Sequence, residues 1–471
     1  MQLAVRMQAK SPPWRSNDEM SSLAKAAGSG TVPAKFKYLA SNLARSFLDG
    51  RYKISKYRSF ARASLWEFDQ DSVLPLNKWV EMGRPDDYRP LISLSWRDRV
   101  VHAVAAEFLY GLVDPLLLPG SVGFRRGTTF SSRAILNRIQ RWLSEGLNHF
   151  LKLDVKDFDG SLRHDVIWEA LQKHVRPACG SDDWACLSAI LSEYLNASSE
   201  ILETAGRGMI GGSPLVGILT NLVLMPLDRE LESAGVRWQR YGDDVLILNN
   251  AEISGDLKGR IDRVFAELQL DINLEKKKTG VTVSIDVDDV LAQELVKELH
   301  CPVALALQLS TTGWFDFLGY MLFSNQVLVR DDSMHKIRNK IQEATHFVKL
   351  GRLSVNRSPA EVVSYCLERL CHKTGFVLGS SKLYRNAGAA RWLGNVRGPL
   401  VLRQCRELDA FVLSRLGRAF DWGDRDLKIL GREIYDRGWR GYIYLYRKLH
   451  GHDRWANPAD GEAGPLAMPP G

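Results

Sequence analysis

The sequence contains no run of eighteen or more apolar residues, the length that a membrane-spanning helix requires. Its opening stretch, MQLAVRMQAKSPPWRSNDEM, has no continuous apolar segment of the kind that a secretory signal carries. There are only six cysteines, Cys179, Cys186, Cys301, Cys366, Cys371 and Cys405, and none forms a C-x-x-C pair. Neither a disulfide framework nor a zinc knuckle is therefore suggested as an organising device. CLERLCH (Cys366 to His372) supplies half of a metal-site pattern without a second half, and is read as buried thiols. No internal repeat is present. A cytoplasmic chain with no membrane partner is expected.

What is present is ordinary in bulk and uneven in distribution. Hydrophobic residues make up 45% and charged residues 25% of 471, which suits a globular chain of two or three domains. The net charge of +8 divides into +8 over residues 1–60, −9 over 61–330, +11 over 331–450 and −2 over 451–471. Basic ends suit a polyanionic partner, and a mildly acidic centre suits metal ions. Without motifs, the same distribution describes solvated helix faces.

Residues 1–32, rich in Ser, Gly, Ala and Pro, and the Gly/Pro/Ala-rich 451–471 are expected to be flexible. Residues 33–110 read as largely helical, broken by MGRPDDYRPLISLS, a turn followed by a short strand. In SWRDRVVHAVAAEFLYGLVDPLL, the spacing places Val100, Val104, Phe108 and Leu112 on one helical face. Residues 150–155 alternate like a strand, and a helical pattern then continues to about 200. An amphipathic helix is expected around 257–272, then a turn and strand in NLEKKKTGVTV. FDFLGYMLF and QVLVR are expected to pair as a hairpin. From 333 onward the pattern is helical and basic, with Trp392, Trp422 and Trp439. The whole predicts an α+β body followed by an α-helical domain.

Two acidic sites stand out. RYGDDVLILNN fits a β-hairpin whose turn carries Asp243 and Asp244; alone, it is more often a solvated turn. FLKLDVKDFDG has a strand ending in Asp154. A strand end and a hairpin turn on its neighbour bring three carboxylates together, enough to hold two hard divalent cations while leaving room for phosphates.

The motifs resemble those of the reverse transcriptase family. Tyr241-Gly242-Asp243-Asp244 matches the Tyr-x-Asp-Asp signature, and Leu153-Asp154-Val155-Lys156 matches the strand with the first metal-binding aspartate. RGMIGGSPLVGILTNLVLMPLD resembles the nucleotide-pocket motif at Gly212, Ser213, Pro214, Leu215 and Asn221, although Ile210 and Gly211 replace the usual Pro and Gln. YRPLISLSWRDRVVHAVAAEFL and GSVGFRRGTTFSSRAI resemble fingers segments of bacterial and group II intron-like members. LEKKKTG resembles the segment that supplies a general-acid lysine, and FDFLGY the primer-grip hairpin. The motifs come in the family's order over about residues 85–325.

The resemblance implies a right-hand polymerase, with fingers and a palm built on antiparallel sheet followed by an α-helical thumb. The expected boundaries are fingers and N-terminal helices over 33–150, palm with interleaved fingers elements over 151–332 and helical thumb or C-terminal domain over 333–450. It implies Asp154, Asp243, Asp244 and Lys278 as catalytic residues. Two Mg²⁺ ions, with Mn²⁺ as a substitute, would be held by the three aspartates and Val155. Arg89, Arg125, Phe158, Asp159, Gly212, Ser213, Pro214 and Asn221 would bind nucleotide, and Phe317, Leu318, Gly319 and Tyr320 would grip the primer. The implied activity is RNA-directed DNA polymerisation. Implied partners are an RNA template, including a dedicated non-coding RNA, a DNA or RNA product duplex, dNTPs or NTPs, and further copies of the chain.

One position departs from the pattern. Asp159 stands where most reverse transcriptases place an aromatic ring against the ribose 2′-hydroxyl, with Phe158 just before it. Asp-x4-Asp with Tyr-Gly-Asp-Asp resembles RNA-dependent RNA polymerases instead, leaving ribonucleotide use open. The +11 segment suits a duplex backbone; a protein-docking helical domain is the alternative. No Cys/His-rich endonuclease module and no RNase H-like carboxylate set is evident. The architecture resembles stand-alone bacterial enzymes, retrons and above all the defence-associated group, which implies a role in anti-phage defence. A catalytically idle, polymerase-shaped RNA-binding protein remains the other class.

Overall fold

The chain is seen here in a computed structural model, which describes residues 38, 41–43, 45–46, 49, 51–54, 57–63, 73–83, 88–274, 277–282, 284, 313–349, 393, 395–420, 442–443 and 446. The expectations for residues 1–32 and 451–471, for Cys301, Cys366, Cys371 and His372, and for Trp392, Trp422 and Trp439 lie outside the described residues.

In chain order come β1 (Arg58–Ala63), β2 (Val73–Pro75), α1 (Leu76–Glu81), β3 (Tyr88–Ser93), α2 (Trp96–Val113) and α3 (Ser132–Ser144). Then follow β4 (His149–Leu153), the one-turn α4 (Phe158–Ser161), α5 (His164–His174), α6 (Ser181–Leu202), α7 (Val216–Val223) and α8 (Met225–Ser233). The hairpin strands β5 (Arg237–Tyr241) and β6 (Asp244–Asn249) precede α9 (Gly255–Glu267) and β7 (Lys278–Val281). Last come β8 (Phe315–Phe317), β9 (Tyr320–Leu322), β10 (Val327–Val329), α10 (Asp331–Lys349) and α11 (Pro399–Phe420). The fold is thus a mixture of helices and antiparallel sheets. Two compact units divide it: Met1–Ser64, Asp71–Phe130 and Leu151–Lys278 form one, and Leu65–Gln70, Ser131–Phe150 and Thr279–Gly471 the other.

In the first unit, β1 pairs antiparallel with both β2 and β3, giving the order β2-β1-β3. This corrects the expectation of a largely helical 33–110. RSFARA alternates with period two: Ala61 and Ala63 are buried while Arg58 and Arg62 are exposed. A small residue at every second position packs a strand as well as a helix, and pairing decided between them. The second sheet of the chain has the order β5-β6-β4-β7. Its core face carries Leu151, Leu153 and Val155, and from the hairpin Trp238, Val245 and Ile247; α2, α5, α6, α7, α8 and α9 contribute apolar side chains to the same core.

The predicted apolar face of α2 is displaced by one residue. Val101, Ala105, Leu109 and Val113 enter the core, whereas Phe108 is exposed. Val100, Val101, His102 and Ala103 are all buried, so the N-terminal half is enclosed all round and its periodicity no longer marks one face. Ser95 caps this helix by accepting from Asp98 N–H at 3.2 Å, while the Asp98 carboxylate accepts from Ser95 Oγ at 2.7 Å and from Tyr52 Oη at 3.1 Å.

In the second unit, β10-β9-β8 form an antiparallel sheet. FDFLGYMLF is therefore a hairpin by itself, and the QVLVR strand pairs with its second arm. Leu318 and Gly319 turn at φ 53° and 83°, the two positive angles of a type I′ turn. Tyr320, buried, accepts from Asn395 Nδ2 at its hydroxyl (2.9 Å). α10 packs on α11. From α11 the Gln404 amide both donates to Val329 O (2.8 Å) and accepts from Val329 N–H (3.1 Å), standing in for a further strand beside β10.

Candidate active site

The hairpin sets the first geometry. Tyr241 pairs with Asp244, so Gly242 and Asp243 are its two-residue turn and Asp244 is the first residue of β6. Gly242 takes φ 66°, which primed hairpin turns need at that position and which glycine adopts without strain. Gly123 lies against the turn: a Cβ there would stand 2.4 Å from Gly242 N. The ring of Phe124, 41% exposed, lies 5.5 Å from that of Tyr241, 37% exposed, so an open aromatic pair flanks the turn.

Beneath the turn lies a buried network that sequence reasoning missed. Arg240 is fully enclosed, and its Nε and Nη2 donate to the two carboxylate oxygens of Asp228 at 2.7 Å each. Nη1 donates to Asn221 Oδ1 (3.1 Å) and to Gly242 O (2.9 Å), and Nη2 also to Ser121 Oγ (2.7 Å). All five N–H donors of the guanidinium are thereby used. Burial pushes the Asp228 carboxyl up, and the Arg240 charge opposes it. Arg240 precedes the Tyr of the signature, and a charged residue on an otherwise apolar strand face was the available signal.

Strand alternation sets the second geometry. Leu151, Leu153 and Val155 point into the core, so Lys152 and Asp154 share the opposite face. On β6, Val245 and Ile247 are core residues, which turns Asp244 to that same opposite face. Lys152 Nζ stands 3.5 Å from Asp244 Oδ1, with the lysine side chain 7% exposed and the aspartate 26%. This contact brings the end of β4 beside the start of β6. Asn273 holds Asp154 from the other side: its N–H donates to Asp154 O (2.8 Å) and its Nδ2 lies 3.5 Å from Asp154 Oδ2. With Lys156 N–H donating to Asp271 O (2.8 Å), these bonds close a bridge between Val155 and Ile272 and leave the Val155 carbonyl outside the pairing. Lys278 opens β7, next to β4 in the sheet order.

Asp159 joins this group. Its carboxyl is pushed up to about 6, first by burial, then by the negative charge of Asp243, against the pull of Arg89. Arg89 is exposed on β3 directly across from Arg62, and it makes no hydrogen bond or ion pair with a described residue. The same strand docks the glycine-rich loop, since Ile92 N–H donates to Gly211 O at 2.8 Å. Gly212 is exposed and Pro214 half-buried at that loop.

Several predicted ligand residues face inward instead. Phe158 is 4% exposed and belongs to the core, so Asp159, not Phe158, is the member of the pair that senses the hairpin. The five donors of Arg125 go to Asp114, by Nε and Nη2, and to the carbonyls of Leu118, Ser121 and Asp114. Its guanidinium also lies over the Phe130 ring at 4.3 Å, leaving nothing to offer a phosphate. Asn221 is wholly buried, donating to Gly123 O (2.8 Å) and accepting from Arg240. Ser213 Oγ is buried 2.9 Å from His102 Nδ1 and accepts from Leu215 N–H (3.2 Å). In this conformation Arg125, Asn221 and Ser213 are engaged as structural supports. Phe317, Leu318, Gly319 and Tyr320 lie in the second unit, at the β8–β9 turn.

No protein-family model matches the chain, and no curated protein matches it in sequence. Among solved structures, the chain is similar to apo telomerase from Candida tropicalis truncated from the C-terminal domain. The identity is 12% and the TM-score 0.32, over 49% of this chain and 44% of that one. It is also similar to telomerase from Candida albicans in complex with a TWJ fragment of telomeric RNA, at 11% identity and TM-score 0.34, over 92% of this chain and 78% of that one. The chain thus spans under half the length of the first of these. Likeness at such values carries no statement about activity.

Among the described residues, no three His, Cys, Asp or Glu side chains converge into a ready metal cage. The expected three-carboxylate cluster is therefore not closed in this conformation. The donor chemistry still fits Mg²⁺, which takes one or two carboxylates and fills its other positions with water and phosphate. No helix among the described residues is long and apolar enough to cross a membrane.

Proposed function

We propose that the chain is a template-directed nucleotidyltransferase of the reverse-transcriptase type, an RNA-directed DNA polymerase. One observation carries this reading. A strand end with Asp154 and a hairpin with Asp243 and Asp244, distant in sequence, meet through Lys152 and Asp244 on one face of one sheet. The electrostatic pull of Arg89 on Asp159 ties the triphosphate-side candidate to the same place.

Asp154 and Asp243 supply hard oxygen donors, with Asp244 and the Val155 carbonyl beside them. Bound there, a pair of Mg²⁺ ions, or Mn²⁺ in their place, would activate an attacking 3′-hydroxyl and stabilise the leaving oxygen. Arg89, which has no ion-pair partner among the described residues, offers its guanidinium to a triphosphate. Asp159 meets the sugar, and Lys278 is the proton donor candidate for pyrophosphate. The β1–β3 sheet with α2 corresponds to fingers, the hairpin sheet to palm, the β8–β9 turn to primer grip and the basic helices of the second unit to thumb. The partners are an RNA template and the duplex made on it, with dNTPs as substrates. The anti-phage setting rests on resemblance of architecture alone.

A second reading is favoured by Asp159 itself. A carboxyl at the sugar position accepts hydrogen bonds and does not screen as a ring does, so ribonucleotides enter as well. Sequencing the nucleic acid that co-purifies with the chain, and with Asp243→Ala, tests both readings. DNA complementary to a cellular RNA, present with the wild type and missing from the variant, is the expected result; RNA product supports the second reading. Identical RNA and no new strand in both samples would leave an idle RNA-binding protein.

A further inference from the structure

Lys152 is a charged member of this face that the nucleotidyl-transfer reading does not use. Its side chain is 7% exposed, in a strand whose neighbours Leu151 and Leu153 are core residues. An ammonium buried to that degree is strongly unfavourable unless a counter-charge stays with it. Asp244 is one such counter-charge, its Oδ1 standing 3.5 Å from Nζ. Strand alternation fixes the lysine on the same face as Asp154, two residues on, so the ammonium cannot turn away from the carboxylates without entering the core.

We infer that Lys152 is a resident cation of the carboxylate face: it neutralises Asp244, so that a divalent ion is taken by Asp154 and Asp243 and not by Asp244. The inference rests on the proposed cation-dependent activity. It adds that Asp244 acts as a positioning residue, holding the ammonium, and that the face is short of one carboxylate charge toward metal. The absence of a closed three-carboxylate cage among the described residues agrees with this division of labour.

Titration of Mn²⁺ alone into the full chain, followed by electron paramagnetic resonance without nucleotide or template, reads the effect directly. Lys152→Met keeps an unbranched side chain and removes the charge. It should bind Mn²⁺ about tenfold tighter or gain a second ion, because a unit charge a few ångströms away in a partly screened site weighs at least that much. Lys152→Arg should stay near wild type. Lys152→Met/Asp244→Asn removes both members of the pair and should leave Mn²⁺ affinity within about twofold of the wild type, whereas Asp154→Asn should weaken it about tenfold or more. Thermal melts of each variant identify any that fail to fold, and the double variant, which strands neither charge, provides the test if Lys152→Met is among them. Equal weakening by the double variant and by Asp154→Asn overturns the inference while leaving the cation site intact. So does unchanged binding by folded Lys152→Met. Wild-type Mn²⁺ binding that Asp154→Asn does not weaken removes the cation site itself, and the inference with it.

Discussion

Asp159 stands between a like charge, Asp243, and an opposite one, Arg89, and its titration follows from that position. Its folded-state value, about 6, lies above the ordinary 3.8. The folded chain therefore binds the proton more tightly than the unfolded one, and this group's contribution is most favourable at low pH. Stability should fall as pH rises from about 4 to about 6, the reverse of a salt-bridged aspartate. Asp159→Asn removes the dependence: it should melt above the wild type beyond pH 6 and converge with it below about pH 4. A parallel pH profile in both proteins would mean that Asp159 is not where its charge is felt. For function, Asp159→Phe should suppress ribonucleotide incorporation by roughly 10- to 150-fold while sparing deoxynucleotides, the scale of one hydrogen bond to a charged group. Primer extension with each nucleotide type decides this, and a wild type that already rejects ribonucleotides as ring-gated enzymes do contradicts it. The acidic residues were legible in the sequence because adjacent charges beside apolar strands stand out. The partners of Arg125, Asn221 and Ser213 were not, since they come from other elements and leave no mark on the local pattern, as with Asp114 for Arg125 and His102 for Ser213.

At the scale of elements, the β5–β6 hairpin is aimed by what lies beneath it. Arg240 ties the turn carbonyl of Gly242 to α7 through Asn221, to α8 through Asp228 and to the 120–123 loop through Ser121. Arg240→Met fits the space but strands the Asp228 carboxylate in the core, and should cost about 3–5 kcal/mol in denaturant unfolding. A loss below about 1 kcal/mol would show that the network is not what holds the turn. Strand and helix existence was largely readable here: the 150–155 strand, the acidic hairpin and the helix near 257 all formed, as β4, β5–β6 and α9. What failed was the burial register of α2 and the strand nature of RSFARA. Both are sequences whose small or apolar residues satisfy two periods at once, so that packing partners choose.

Across the whole molecule, the two units interleave in sequence: Ser131–Phe150, carrying α3, belongs with the chain from Thr279 onward. The chain crosses between the units without a break in composition that a sequence reading could use. This interleaving also changes how the basic second unit should be probed. Deleting residues from 333 would remove α10 and α11, which complete the β10 side of that unit through Gln404. Charge-removing changes at the exposed Lys336 and Arg406 are the cleaner test. If the +11 of residues 331–450 meets a duplex, each lost phosphate contact should lower the log–log salt slope of DNA-duplex binding by about 0.9. An unchanged slope would move the polyanion surface to the basic residues 1–60.

The central claim is that Asp154 and Asp243 serve one cation-dependent polymerising site. Incorporation of labelled deoxynucleotides on an RNA template with a DNA primer, with and without Mg²⁺, tests it most directly, using the wild type, Asp154→Asn and Asp243→Asn. The account predicts Mg²⁺-dependent extension by the wild type and a loss of at least about 100-fold in each variant, with melting temperatures showing that both remain folded. Extension at the wild-type rate by folded Asp243→Asn would contradict it.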